Sequence, residues 1–125
     1  DAACKDTYEN KTRLGGKWDH IIDNLHYIST LPLLQDVVLS FVVQYDNYTE
    51  MYDFYKLGKS IFENTDKNWR IFYNRVVNWG TYSKKQFKEV DICDPEHPEY
   101  FKLMEEYSKL ATLDRISHNI PVNAV

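Results

Sequence analysis

The residues best suited to bind something lie between Trp79 and Lys88. Trp79 and Tyr82 are followed at once by Lys84, Lys85 and Lys88, which sets aromatic rings beside ammonium groups. Cations beside rings steer a partner over distance and anchor it on contact, because the rings lose water there. Trp79, Tyr82, Lys84, Lys85 and Lys88 are therefore the expected partner-binding surface, with a solvated connector as the competing reading. The basic zone extends back through Lys67, Arg70 and Arg75 and meets an acidic one: Glu89, Asp91, Asp94, Glu96, Glu99, Glu105 and Glu106, with Lys102 against them.

Other spacings point away from catalysis. Asp23 and His26 match one half of the carboxylate-x-x-His pattern of di-iron bundles, and the second half is missing. Asp94-Pro95-Glu96-His97 repeats that spacing in a proline-flanked run that does not read as helical, so no metal site is expected. A nucleophile needs Ser, Cys or Thr beside an oriented base, and no Gly-x-Ser-x-Gly is present. Glu105 and Glu106 are adjacent and diverge by about 100° on a helix, so they do not converge on one substrate. Neither a P-loop nor a dinucleotide-binding glycine pattern occurs. The reading is a binding protein without cofactors, not an enzyme.

Cys4 and Cys93 are too few for a metal cluster and too far apart for a CxxC redox motif, which leaves a disulfide between them as the natural pairing. Asn10-Lys11-Thr12 and Asn47-Tyr48-Thr49 both fit the N-glycosylation pattern, so Asn10 and Asn47 are the candidate glycan carriers. With a start, Asp1-Ala2-Ala3-Cys4, that reads like a mature protein after signal-peptide removal, these features predict a secreted glycoprotein. The partner is then an extracellular protein or glycoprotein. Net charge −4 disfavours nucleic acid, whose binding rests on Lys and Arg neutralising phosphates. No apolar run reaches the roughly 18 residues that span a bilayer; the longest, Val37 to Val43, is interrupted by Ser40.

These residues need elements to position them. Across 125 residues, 43% are hydrophobic and 15% aromatic, enough for one domain with one core. Only four Gly and four Pro argue against many short strands joined by tight turns. The expectation is an all-α fold, a compact bundle of four to five helices over residues 1–125, with residues 1–16 as an N-terminal arm. Trp18, Ile21, Ile22, Leu25 and Ile28 recur at helical spacing. Leu34, Val38, Phe41, Tyr45, Tyr48, Tyr52 and Tyr55 step by four and three, predicting one long central helix as far as Asn64 with Phe41 and Tyr45 at the bundle centre and Gly58 as a potential kink. Trp69, Phe72, Tyr73 and Val76 suggest a third helix, and Tyr100, Leu103, Met104, Tyr107 and Leu110 a fourth.

Thr30-Leu31, Gln35, Leu39, Phe41-Val42 and Thr49, then Pro98, Tyr100, Met104-Glu105-Glu106 and Ile120-Pro121-Val122, resemble the sperm lysin family of abalone and related gastropods. That resemblance covers most of the chain. It implies a secreted helical fertilisation protein that binds an egg-coat glycoprotein without cleaving bonds and can pair as a homodimer. Gln44 and Tyr45 stand where the family carries a basic pair. A second resemblance covers the first helical hairpin alone: Tyr45-Asp46-Asn47-Tyr48 and Thr65-Asp66-Lys67-Asn68-Trp69 are similar to secreted insect ferritin subunits. Lys67, Asn68 and Ile71 replace that family's iron-oxidising residues, which implies a ferritin-like subunit without a ferroxidase site. A secreted helical signalling ligand fits the same composition.

Overall fold

The computed structural model describes residues 1–122 and corrects the all-α expectation: a three-stranded parallel sheet forms the centre of the molecule. The chain runs through α1 (Lys5–Thr7), a π-helical turn (Tyr8–Thr12), α2 (Trp18–Thr30), β1 (Asp36–Val43), a short 3-10 turn (Tyr48–Glu50) and α3 (Met51–Phe62). It continues through β2 (Asn68–Arg75), α4 (Lys84–Val90), α5 (Tyr100–Ser108) and β3 (Ile116–His118). The strands lie in the order β1-β2-β3, with Val37 opposite Trp69, Val43 opposite Arg75 and Ile71 opposite Ile116.

The long central helix does not form. Its first half is β1, and the reason lies in the residues that had widened the helical stripe. Val37, Leu39, Phe41 and Val43 are buried while Asp36, Val38 and Ser40 are exposed, a period of two. A run this rich in β-branched side chains suits a pleated surface better than a helix. The predicted third helix is β2 for the same reason: Trp69, Ile71 and Tyr73 are buried and Asn68 and Arg70 exposed. Helical periodicity is obeyed only from Met51 onward, where Met51, Phe54, Tyr55, Gly58, Ile61 and Phe62 form the buried face of α3.

The buried face of the sheet meets α3 at close range. A Cβ on Gly58 would stand 2.9 Å from Leu39 Cδ1 and 3.2 Å from Ile71 Cδ1, so glycine sets the approach of helix to sheet and introduces no break in α3. Phe41 packs against Phe54 at 4.9 Å and Tyr73 at 5.6 Å between ring centroids, and the Tyr73 hydroxyl donates to the Met51 carbonyl at 2.6 Å. Leu103 and Tyr100 of α5 join the same core, whereas α2 adds only the partly buried Leu25 and Ile28. Lys67 is 4% exposed, and its ammonium donates to the carbonyls of Leu31 and Leu34, which holds the α2–β1 connection against the start of β2. The other face of the sheet is open, with Val38 46% exposed. No helix among the described residues is long and apolar enough to cross a membrane.

The expected Cys4–Cys93 disulfide is also corrected: both cysteines are free. Cys93 is fully buried beside the end of β1, its Sγ 4.0 Å from the Val43 carbonyl, while Cys4 is exposed and its thiol faces Thr7 Oγ1 at 3.4 Å. The Cys93 thiol is enclosed by the core and the Cys4 thiol is turned to Thr7, so the two do not face one another.

Candidate functional site

The carboxyl ends of the strands are built around two hydrogen-bonded anchors. At the end of β2, Arg75 forks onto Asp91, with Nε 3.2 Å from each carboxylate oxygen and a terminal nitrogen 2.6 Å from Oδ2. Asp91 is 4% exposed at its side chain and Arg75 35%; the hydrogen bond to Asp91 holds the guanidinium pKa above its ordinary value against the opposing effect of burial. Past the end of β1, the Tyr45 N–H donates to the Val90 carbonyl at 2.9 Å. Together these contacts place the C-terminal end of α4 beside the ends of β1 and β2.

The start of α4 is fixed by a capping box. Ser83 Oγ accepts from the Gln86 N–H at 3.1 Å, and Gln86 Oε1 accepts from the Ser83 N–H at 2.9 Å. Following α4, the segment 94–99 is closed by side chains bonding to local backbone. Asp94 Oδ1 accepts from the Glu96 N–H at 2.9 Å, and His97 Nδ1 accepts from the Glu99 N–H at 3.1 Å. His97 Nε2 lies 3.0 Å from the Glu89 carbonyl, and only the neutral tautomer protonated at Nε2 satisfies both contacts. With both nitrogens engaged, the imidazole ties the loop to α4.

Between α4 and this loop lies a hollow of about 670 Å³, lined by Tyr45, Lys85, Lys88, Glu89, Asp94, Glu96, His97, Pro98 and Glu99. The hollow lies past the carboxyl end of β1, where Tyr45 contributes to its lining. The Tyr45 ring is 44% exposed and 5.9 Å from the His97 ring, so this residue, expected at the bundle centre, is instead a wall. Phe41, its expected companion, is fully buried. Glu99 is held below the usual carboxylate range by Lys102 and by the Tyr45 hydroxyl, which is itself raised by that hydrogen bond and by the Glu99 charge. A shallower hollow of about 370 Å³ lies on the open sheet face, lined by Val38, Arg70, Phe72 and Ser117.

The expected partner-binding residues are divided. Lys85 and Lys88, three apart on one side of α4, both line the hollow. Lys84 does not line it, nor does Tyr82, whose ring packs 6.3 Å from Phe87. Trp79 is 88% exposed on a turn organised by the Asn78 side chain, which accepts from Gly80 and Tyr82 N–H groups. The sequence reading missed Tyr45 and the facing role of Glu89, Glu96 and His97. The signal available was the Asp94-to-His97 run between α4 and α5, where local hydrogen-bonding residues beside prolines build a rigid loop.

The two sequons also separate. Asn10 is exposed, its amide donating to Asp6 Oδ1 at 2.8 Å. Asn47 is fully buried; its amide nitrogen donates to the Asp1 and Val42 carbonyls at 2.9 and 2.8 Å, and its oxygen accepts from the Gln44 N–H. A glycan on that nitrogen is incompatible with this conformation. Among the described residues no three His, Cys, Asp or Glu side chains come together as a metal site. No family model, curated protein or solved structure matches this chain.

Proposed function

We propose that this chain is a non-enzymatic binding protein whose ligand enters the hollow between α4 and the 94–99 loop. The observation that carries this reading is a hollow of about 670 Å³ just past the carboxyl end of β1, within the usual 300–1,000 Å³ of small-ligand sites. Its walls are held by the capping box, the Tyr45–Val90 bond and the two contacts of His97, so a ligand meets a surface that needs little ordering. His97 has no free nitrogen, and no Ser, Thr or Cys lines the hollow. These features support recognition over bond chemistry. An extracellular setting is part of the proposal and rests on the exposed Asn10 sequon. The bundle implied by the lysin and ferritin resemblances is not the architecture found, so the proposal does not draw on either.

A fragment screen read by amide chemical shifts tests it. Binding fragments should shift Tyr45, Glu89 and His97 together and leave the Val38–Phe72 face unmoved. Shifts scattered over the surface, or confined to the open sheet face, overturn the assignment. Turnover of ester, glycoside or phosphate substrates that is lost in Lys88→Ala overturns the non-enzymatic reading.

A further inference from the structure

The class of ligand follows from how the charges of the hollow are partnered, an argument that rests on the binding role proposed above. Six ionisable side chains besides Tyr45 and His97 line it. Glu99 is already occupied by Lys102, with which it forms an ion pair. Asp94 is engaged by the Glu96 N–H, and its charge also acts on Arg75. Lys85, Lys88, Glu89 and Glu96 have neither an ion-pair partner nor such a backbone contact from their side chains among the described residues, and Asp94 keeps its negative charge. The open charges are therefore of both signs: two ammonium groups on α4 face carboxylates at the end of α4 and on the facing loop.

A purely anionic ligand would pair with the lysines while its charge met Glu89 and Glu96, and a purely cationic one would meet the opposite conflict. Only a ligand carrying both signs matches every open group. We propose that the hollow binds a small amphoteric ligand of the amino-acid class, its carboxylate toward Lys85 and Lys88 and its ammonium toward Glu89 and Glu96. The exposed face of Tyr45 lies within the same lining and suits an ammonium or the apolar stem between the two ends.

The spacing between the two ligand charges is tested with glycine, β-alanine, γ-aminobutyrate and ε-aminohexanoate, titrated into the isotope-labelled chain and followed at the amides of Tyr45, Glu89 and His97. Hexanoate and hexylamine serve as single-charge controls. At least one amino acid should bind about fivefold tighter than both controls, the factor one additional solvent-exposed charge pair supplies. Lys88→Glu and Glu96→Lys should each remove that advantage, and the double variant should restore part of it, because the exchange keeps the hollow's net charge and leaves both signs open to the ligand. Both positions are exposed, and an unchanged melting temperature confirms that folding is intact. If hexanoate or hexylamine binds as tightly as the best amino acid, the amphoteric class is wrong and the hollow remains a binding site. If neither these compounds nor any member of the fragment screen saturates a lining signal, the hollow is not a site and both readings fall.

Discussion

Two ionic arrangements stand next to each other at the carboxyl end of the sheet and differ in one respect. Beneath, Arg75 and Asp91 are paired through a bidentate contact, with Asp91 nearly out of reach of water. Above, Lys85, Lys88, Glu89 and Glu96 carry the same kinds of charge without partners and open to solvent. Water is the difference. A buried charge left alone costs several kcal/mol, so the inner pair must be complete for the fold to stand, whereas exposed charges stay solvated and remain available to an arriving ligand. The contrast separates what holds this protein together from what it has to offer a partner.

If that division is right, perturbing the inner layer should change stability and perturbing the rim should change only binding. The largest effect is expected at Phe41, fully buried against Phe54 and Tyr73: Phe41→Ala should cost about 3–5 kcal/mol in urea unfolding, and a cost under 1 kcal/mol would mean the inner layer is not packed as described. Arg75→Met comes next. It strands Asp91, and the expected cost is about 3 kcal/mol, at the low end for buried pairs because Arg75 keeps a side toward solvent. Asp91→Asn in the Arg75→Met background should recover part of the loss, since it removes the stranded charge.

The thiols give a version of the comparison that needs no destabilising substitution. Burial, reinforced by the Asp91 charge, pushes the Cys93 thiol up to about 12, while Cys4 is exposed. In native protein iodoacetamide should label Cys4 and spare Cys93 until denaturant is added; equal labelling rates would place Cys93 at the surface. The folded state also keeps the Cys93 proton over a range where the unfolded thiol, ordinarily near 9.0, has lost it. Stability from this group is therefore present below about pH 9 and lost as pH rises toward 12, and Cys93→Ala should flatten that part of the alkaline slope.

Smaller effects lie toward the rim. Ser83→Ala removes one half of the capping box and should cost about 1 kcal/mol, with increased amide exchange in α4 while β1 and β2 stay protected. Lys85→Glu with Lys88→Glu should change stability by no more than about 0.5 kcal/mol, as surface substitutions do. A larger loss would show that the two lysines take part in the fold and would erase the distinction drawn here.

Some of this was legible from residue order. α2 lies where Trp18, Ile21, Leu25 and Ile28 predicted a helix, and α5 begins just after Pro98 as its pattern required. The interest of Lys85 and Lys88 was also visible, because basic side chains next to an acidic run are apparent in one dimension. The residues that line the hollow with them were not: Tyr45 and Glu96 are 51 residues apart and come to the same hollow with the Tyr45 N–H bonded to Val90 past the end of β1. Both histidines near the carboxyl end behave alike, His97 and His118 each accepting the N–H two residues on, and nothing in their spacing announced a structural role.

What the sequence determined by itself was local: a chain apolar enough to build a core, its overall negative charge, the helices at Trp18–Thr30 and Tyr100–Ser108, and the juxtaposition of basic and acidic runs. The tertiary structure decided between helix and strand over 34–76. There the apolar residues fit a period of 3.6 as well as a period of two, and the β-branched content that favours a strand in β1 is absent from most of β2. Pairing separates the two. A strand of a parallel sheet gains its hydrogen bonds from a partner far away in the chain, here Val37 with Trp69 through Val43 with Arg75, and no segment read alone contains that term. The same holds for Cys4 and Cys93: that one thiol is buried and the other exposed is set only by the folded chain.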